Sequence, residues 1–549
     1  HYGYLVEGRF QRGFRRGGGE YVDATERDRR RALQLFDQAR QLSMISPSPA
    51  ETARILSDFA DALLEDRLSP LSSWSLQLKT DLSTLPDWGE ENPRQSTTTG
   101  APVGPDGLPI YYALPSSFEE ARNDGERIRF LLDQAARINP NTANSCILTW
   151  ARFVHSQFGV ETLADMMTRF GSFSEPDDQR TNRFTLHLLS DDETIARLAN
   201  GIRRLRLPEE HNPILLLRRI TTQTEGDSTR IPEGERAWNM LAEIFENRRQ
   251  YPAAADCWRK SIEKYGPGEN NWKQQRLDQI IGNWGTFETI PTQPQDGRTA
   301  IPFRFRNGRK VHFQAQPVDV RQLLTDLRNY LKSNPRELDW KRIEIEPLGY
   351  TLLDSNRQRY LKAPATEWSL DLDPNPNHFD RRIMVTPPAL TPGAWWMTAR
   401  MENGNTCHGV LWVQDTILVQ KPLTNGILLF LADADSGTPI PNAFIEAFAY
   451  RTRWVEGAGG RSARLQIETD TVPLRTDEKG VAILTRKPDS QGNWQWLFTA
   501  SAEKERFAFL GFGGFWFPRV MTDSLSTTRG VVITDRPVYR PGQKVNFKA

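Results

Sequence analysis

Cysteine and histidine are the side chains of this sequence best suited to metal binding or nucleophilic attack, and both are scarce. The chain holds 3 Cys and 7 His in 549 residues. Cys146 and Cys257 lie among apolar neighbours on predicted helices, which favours buried, unreactive thiols. Cys407 and His408 are adjacent on a predicted strand, so their side chains point to opposite faces and are poorly placed to share one ion. We predict no metal site and no cofactor site.

Other segments that could take part in catalysis or binding have simpler structural explanations. The sequence has no Gly-x-Ser-x-Gly elbow and no phosphate-binding glycine loop, and we predict that the chain is not an enzyme. Glu209-Glu210-His211 lies in a polar, proline-flanked loop, which predicts a solvated surface. The basic segment from Arg9 to Gly19 includes Phe10 and Phe14 and could bind RNA by charge and stacking. It is short, and we interpret residues 1–19 as an extended N-terminal lead.

The composition is that of a globular chain of several domains. Hydrophobic residues make up 38% and charged residues 25%, and the formal net charge is +1. Such a balanced chain has no global field to attract nucleic acid, so we expect no nucleic-acid partner. No run approaches 18 apolar residues, so no transmembrane span is predicted, and three cysteines cannot form a disulfide framework. His1 begins the chain without a Met or a signal-like segment, which suggests a processed end or a piece of a longer protein.

The first half, residues 20–295, has the apolar spacing of helices. Residues 86–115 are rich in Gly, Pro, Ser and Thr and predict a long loop. The predicted helices lie after Asp23 and near 49–66, 116–138, 142–158, 160–170, 190–206, 233–248, 251–265 and 270–282.

One helix pair, at about 233–266, resembles a tetratricopeptide repeat. Small residues at two positions would let the helices approach closely, and aromatic residues would fill the gaps against a neighbouring repeat. A plain helical domain and an α-solenoid both remain open, and either would serve as a scaffold or bind a protein partner. The residues that match the repeat spacing are Trp238, Leu241, Ala242, Phe245, Ala254 and Trp258.

The second half has the two-residue period of antiparallel β-sandwiches. We assign one sandwich to residues 296–421, where Asn307-Gly308 is a strong hairpin signal between two alternating segments, and a helix interrupts near 318–332. A second sandwich covers 422–528 and includes a turn in which Gly480 supplies a positive φ. The aromatic segment 507–517 predicts core or interdomain packing, with an exposed interaction patch as the alternative.

The last residues, 529–549, predict a strand, a Pro-Gly turn and a second strand. An isolated hairpin is marginal in water, so we expect further strands of the same domain beyond Ala549. Within this hairpin the sequence Thr534-Asp535-Arg536-Pro537-Val538-Tyr539-Arg540-Pro541-Gly542 resembles the opening of a macroglobulin domain in the alpha-2-macroglobulin family. The preceding sandwich resembles the domain that comes before it in large bacterial members. The sandwich at 296–421 is compatible with the family but has no signature of its own, and with it the resemblance reaches about 250 residues.

The resemblance implies the N-terminal portion of a large bacterial alpha-2-macroglobulin-like protease trap, secreted or periplasmic. Proteases and further domains of the same chain would be its partners, with macroglobulin-like sandwiches forming a cage that collapses when a bait segment is cut. No Cys-Gly-Glu-Gln thioester occurs here, so we expect any bait and thioester beyond Ala549. A structural or adhesive surface protein is the main alternative, and a carbohydrate-active enzyme with accessory sandwiches is a weaker one.

Overall fold

The computed structural model describes most of the chain. The described residues are 2–12, 19–45, 48–65, 73–88, 100–163, 185–225, 231–290, 292–295, 300–335, 337–339, 359–363, 366–423, 426–455, 464–485, 494–514, 533–534 and 547–548. They form a small N-terminal sheet, a helical region and two β-sandwiches, followed by one pair of short strands.

The N-terminal segment contains a β-hairpin where an extended lead was expected. Strands β1 (Tyr2–Val6), β2 (Arg9–Arg12) and β3 (Glu20–Asp23) form a sheet in the order β2-β1-β3. The Phe10 ring stacks on Trp88 at a centroid distance of 4.3 Å, and Arg12 Nη2 donates to Asp28 Oδ1 at 2.7 Å. These contacts attach the hairpin to the helical region.

The helical region contains eight α-helices among the described residues, and each packs against the next along the chain. Their buried faces form one continuous core. The helices are α1 (Thr25–Ser43), α2 (Pro49–Leu64), α3 (Asp124–Ile138), α4 (Ala143–Phe158), α5 (Pro213–Glu225), α6 (Pro232–Asn247), α7 (Tyr251–Tyr265) and α8 (Trp272–Ile281). Short 3-10 turns lie at Ser73–Gln77, Pro140–Thr142, Val160–Leu163, Leu186–Leu188, Glu209–His211, Glu269–Asn271 and Pro376–His378.

Local sequence explains where several helices begin. Ser48 caps α2 by accepting a hydrogen bond from the backbone N–H of Glu51, and Pro49 occupies the first turn, where its missing N–H costs nothing. Asn123 caps α3 in the same way, accepting from the backbone N–H of Glu126 at 2.9 Å.

The predicted helix at 190–206 is wrong. These residues form a β-hairpin, β4 (Glu193–Leu198) and β5 (Gly201–Arg206), in which Leu198 pairs with Gly201. The two turn residues are Ala199 and Asn200, and Gly201, the first residue of β5, adopts a φ of +126° that few other residues tolerate. A glycine that closes a four-residue turn is a turn signal, and here it prevails over the helical spacing of the apolar residues. Helix α5 was not among the helices predicted from the sequence.

The first sandwich consists of two sheets packed face to face. The five-stranded sheet has the order β10-β9-β12-β13-β7 and the three-stranded sheet β11-β8-β6. Phe303 and Phe305 from one sheet pack with Phe313 and Met401 from the other. The strands are β6 (Trp284–Phe287), β7 (Gln293–Pro294), β8 (Ile301–Arg306), β9 (Lys310–Val318), β10 (Thr366–Asp371), β11 (Arg381–Val385), β12 (Gly393–Met401) and β13 (Thr406–Gln414).

Two sequence expectations for this sandwich differ from the structure. The strands on either side of Asn307-Gly308 were expected to form a hairpin, but β8 and β9 belong to opposite sheets. The short turn carries the chain from one sheet to the other, and Asn307 adopts the expected left-handed conformation with φ +62°. Strand β6 pairs with β8, so the sandwich includes residues before 296.

The second sandwich begins at Thr416, earlier than the expected boundary at 422. Its sheets have the orders β14-β15-β18 and β17-β16-β19-β20, and they enclose a separate apolar core. Gly480 has the expected positive φ, +71°, in the turn before β18. The strands are β14 (Thr416–Leu423), β15 (Gly426–Asp433), β16 (Phe444–Val455), β17 (Arg464–Arg475), β18 (Val481–Thr485), β19 (Gln495–Ser501) and β20 (Phe507–Gly514).

The two strands expected at the C-terminus pair with each other. Strand β21 (Ile533–Thr534) is antiparallel to β22 (Phe547–Lys548), with Thr534 opposite Phe547. The predicted Pro-Gly turn at 541–542 lies outside the described residues.

Candidate functional site at the junctions between modules

The repeat-like positions lie together where α6 and α7 meet. Leu241, Ala242, Phe245, Ala254 and Trp258 are buried in the core of the helical region. Trp238 is half-buried at its margin, with Lys260 Nζ 5.1 Å from the ring centroid. The two alanines at which close approach of the helices was predicted, Ala242 and Ala254, are fully buried. This packing is equally compatible with a plain helical pair and with a repeat.

Two acidic residues of α6 tie it to its neighbours, and sequence reasoning missed both. Glu246 accepts hydrogen bonds from Trp258 Nε1 on α7 and from Arg276 Nη2 on α8, each at 2.5 Å. Glu235 pairs with Lys273 Nζ on α8 at 2.6 Å, and the Lys273 side chain is fully buried. Ion pairs therefore join α6 to α8, and a hydrogen bond joins α6 to α7, in addition to the apolar packing.

The first junction joins the helical region to the first sandwich. The Phe379 ring, in the loop between β10 and β11, lies against His187 and Tyr251, with centroid distances of 5.4 and 5.3 Å and edge-to-face geometry. Asn307 Nδ2 donates to the carbonyl oxygens of Ile280 and Gly282 at the end of α8, at 2.8 and 2.9 Å. The turn that crosses between the sheets therefore also caps the last helix of the preceding module.

A histidine completes this junction. The ring of His378 hydrogen-bonds through Nδ1 to Asn307 Oδ1 at 2.8 Å. Burial lowers the pKa of His378, and the nearby positive charges of Arg259 and Arg306 lower it further. The ring is therefore neutral at neutral pH, which suits its place among apolar and amide groups.

The second junction joins the two sandwiches through helix α9 (Val320–Lys332). Asp319 caps the helix by accepting from the backbone N–H of Gln322 at 3.0 Å. The buried face of α9 shares one apolar cluster with strand β12 of the first sandwich and strands β16, β17 and β19 of the second. The members of that cluster are Val318, Val320, Leu323, Leu324, Leu327, Leu331, Tyr360, Ala394, Trp396, Phe448, Tyr450, Ile467 and Leu497.

Polar contacts fix α9 on the second sandwich. Arg328 forms an ion pair with Glu446 of β16. The Arg321 guanidinium lies 4.4 Å from the centroid of the Phe507 ring, a cation–π contact. Asn334 Oδ1, just after the helix, accepts from the backbone N–H of Ile467 at 2.8 Å. The helix is therefore a structural connection between the sandwiches, with specific contacts at both ends.

The residues first considered for chemistry lie in inert surroundings. Cys146 and Cys257 are buried, and Cys407 is half-buried. Burial raises the pKa of Cys257 to about 12 and that of Cys407 to about 11. His408 points away from Cys407, stacking on Trp396 at a centroid distance of 4.9 Å. Within the described ranges, no group of three or more His, Cys, Asp or Glu side chains is placed to hold a metal ion.

Other sequence-selected residues are placed as follows. His211 is buried against Tyr111 and Trp150, although its segment was expected to be solvated; Glu209 and Glu210 beside it are exposed. Phe507, Phe509 and Phe512 pack against the α9 cluster, as expected for interdomain packing. Of the macroglobulin-like motif, Thr534 lies on β21, and Asp535, Arg536, Pro537, Tyr539, Arg540, Pro541 and Gly542 lie outside the described residues.

Comparison with known proteins finds a relative that matches only part of the chain. No protein-family model matches the chain. Over 134 residues the chain is 25% identical to the alpha-2-macroglobulin homolog of Deinococcus radiodurans, a match that covers 24% of this chain and 12% of that protein. The chain is therefore similar to an alpha-2-macroglobulin homolog over about a quarter of its length, and it spans only a small part of that relative.

Solved structures resemble the chain only weakly. Native alpha-2-macroglobulin from Escherichia coli, spanning domains MG0-NIE-MG1, has a TM-score of 0.26 and 12% identity, covering 42% of this chain and 64% of that one. Salmonella alpha-2-macroglobulin reacted with methylamine has a TM-score of 0.18 and 12% identity, covering 49% and 18%. At such scores the superposition supports no argument about fold or function. No helix among the described residues is long and apolar enough to cross a membrane.

Proposed function

We propose that this chain is the N-terminal scaffold of an alpha-2-macroglobulin-like endopeptidase inhibitor, a protein that traps proteases and is not itself an enzyme. The observation that carries the proposal is the 134-residue match to an alpha-2-macroglobulin homolog. The macroglobulin-like motif at residues 534–542 points to the same family. In this proposal the bait segment and any thioester belong to other parts of the protein.

The two junctions suit a scaffold whose modules must move together. Because α9 shares one core with both sandwiches, we expect a displacement of one sandwich to move the other. Phe379 and Asn307 couple the first sandwich to the helical region in the same way. A cage that rearranges after one cut in a bait needs such coupling, since a loosely linked set of modules would absorb the motion at its linkers.

The remaining parts of the proposal follow from the resemblance. Proteases are the expected partners, and the periplasm or the cell exterior is the expected location. The helical region would act as a spacer or as a docking module for a protein partner.

A protease-binding experiment on the full-length natural protein tests the proposal. A serine protease added in equimolar amount should co-elute with the inhibitor on size exclusion while retaining its activity on a small peptide substrate. Protease whose active site has been blocked in advance is the matched control and should not co-elute, because it cannot cut a bait. Loss of small-peptide activity would indicate an active-site inhibitor, and no complex with either form would favour a structural or adhesive protein.

A further inference from the structure

A small polar cavity lies within the helical region. It has a volume of about 20 Å³. Its walls come from the end of α4, the turn Val160–Leu163, strand β4, the start of α5 and the end of α6. A cavity needs roughly 10–15 Å³ to hold one water molecule, so this one has room for a single water and little more.

Arg248, at the end of α6, brings a buried positive charge to this cavity. It is one of the lining residues and is only 2% exposed. Its Nη2 donates to the carbonyl oxygens of Ser190 and Glu193 at 2.7 and 2.6 Å. Its Nε and Nη1 are buried and have no hydrogen-bond partner among the described residues. Burial lowers the pKa of Arg248 to about 10, so the guanidinium is still charged at neutral pH, and its unused donors are costly unless something accepts from them.

Glu161, in the turn after α4, presents an acceptor to the same cavity. Its Oε1 accepts a hydrogen bond from Asn247 Nδ2 at 2.6 Å and lies 3.0 Å from His155 Nε2. Its Oε2 is buried and has no hydrogen-bond partner within the part of the chain that the structure describes. Arg248 and Glu161 form no direct ion pair with each other. An unused donor and an unused acceptor therefore share one small space.

The charges around the cavity decide what can occupy it. Asp191 and Glu193 also line it, but each is paired with another arginine. Arg248 and Glu161 are therefore the two charged groups with free bonding capacity. An anion would suit Arg248 and be repelled by Glu161, and a cation would suit Glu161 and be repelled by Arg248. A water molecule suits both, because it accepts from the guanidinium and donates to the carboxylate.

We propose that one structural water molecule occupies this cavity and bridges the Arg248 guanidinium to Glu161 Oε2. The bridge joins the end of α6 to the turn after α4, beside the point where the β4–β5 hairpin enters the helical region. It supplies an acceptor to the buried guanidinium and a donor to the buried carboxylate oxygen. The inference is independent of the proposed protease-trapping function, because it concerns only contacts within the helical region.

A crystal structure of the full chain, at a resolution that shows ordered water, tests the proposal. The crystals are soaked in sodium bromide, and data are collected at the bromine absorption edge. The expected result is one peak of water density about 3 Å from an Arg248 guanidinium nitrogen and from Glu161 Oε2, without an anomalous bromide signal. A bromide peak would assign the cavity to an anion. A direct ion pair between the two side chains, or a cavity without density, would also overturn the proposal.

Two matched substitutions at Glu161 separate hydrogen bonding from charge. Glu161→Gln removes the charge and keeps a polar group facing the water, whereas Glu161→Met removes both from a side chain of similar length. The water peak should persist in Glu161→Gln and disappear in Glu161→Met. Loss of the peak in both variants, or its retention in both, would contradict a bridge that depends on a hydrogen bond to this side chain.

Urea unfolding tests the nature of the occupant in solution. An anion that binds only the folded chain raises the unfolding midpoint as its concentration increases. The difference in midpoint between sodium chloride and sodium gluconate at equal ionic strength should be the same for the native chain and for Glu161→Gln, since water is present in both salts. A chloride-dependent rise that is larger in Glu161→Gln would show that an anion binds beside Arg248 and would overturn the proposal.

Discussion

Leu324→Ala is the substitution that most sharply tests the role of α9. Leu324 is fully buried in the cluster that includes Trp396 of the first sandwich and Phe448 of the second. Removing its side chain loses the transfer energy of three carbon atoms and leaves a cavity, together about 2–5 kcal/mol. Because the cluster belongs to both sandwiches, we expect the loss to weaken their coupling as well as their stability.

Guanidinium unfolding of the whole chain, followed by tryptophan fluorescence, measures this effect. If the sandwiches unfold as one unit in the native chain, Leu324→Ala should lower the midpoint and split the transition into two. Leu429→Ala is the matched control, since Leu429 is equally buried but lies within the core of the second sandwich alone. It should lower stability by a similar amount and leave the two sandwiches unfolding in one transition.

A second control tests whether any substitution on α9 has the same effect. Asn329 is exposed on α9, and Asn329→Ala should change stability by no more than about 0.5 kcal/mol. A coupling role of α9 would be refuted if Leu324→Ala changed stability as little as Asn329→Ala. It would also be refuted if Leu324→Ala lowered the unfolding midpoint of only one sandwich, because the shared cluster would then not couple the two.

Three further predictions concern the helical region and its junction. Phe379→Ala removes two edge-to-face ring pairs, each of which contributes about 0.5–1.5 kcal/mol. The helical region should therefore unfold at a lower temperature than the sandwiches in a thermal scan. A single, unchanged melting transition would contradict this. Burial lowers the pKa of His211 from 6.5 to about 4, so the unfolded chain binds more protons between these values. The contribution of His211 to the free energy of unfolding is therefore present above pH 6.5 and is lost as pH falls towards 4, by up to about 3 kcal/mol. His211→Phe should flatten this part of the profile of unfolding free energy against pH. An equal slope in both proteins would argue against a buried neutral ring. Glu235→Ala leaves the buried Lys273 ammonium without its carboxylate, so it should lower the free energy of unfolding by about 3 kcal/mol. Lys273→Met should lower it by less, as measured by urea unfolding. The reverse order would show that the pair is solvated.

Local patterns in the sequence predict the element types of much of the chain. The 3.6-residue spacing identifies α6 and α7 within a residue or two of their bounds, and the two-residue period identifies both sandwiches. The failure at 190–206 has a local cause, since Gly201 closes the turn between β4 and β5 with a positive φ that does not fit a helix. Element type is thus encoded over a few residues.

The pairing of elements depends on distant residues and was harder to predict. Asn307-Gly308 has the sequence of a hairpin turn, yet the strands it joins lie in opposite sheets, because their apolar faces pack across the sandwich core. The junctions depend on the same long-range packing. Phe379 contacts Tyr251 across more than a hundred residues, and no spacing rule in the sequence connects them. The repeat-like residues could be selected because their partners lie on the adjacent helix.

The size of the full-length natural protein before and after protease cleavage tests the central claim most directly. Small-angle scattering of the protein alone, and again after substoichiometric protease, measures whether one cut rearranges the whole assembly. A trap whose modules are coupled through junctions like those of α9 and Phe379 should show a decrease in radius of gyration that accompanies a single backbone cut. Cleavage that leaves the radius unchanged, or no cleavage at all, would contradict the account and favour a static structural protein.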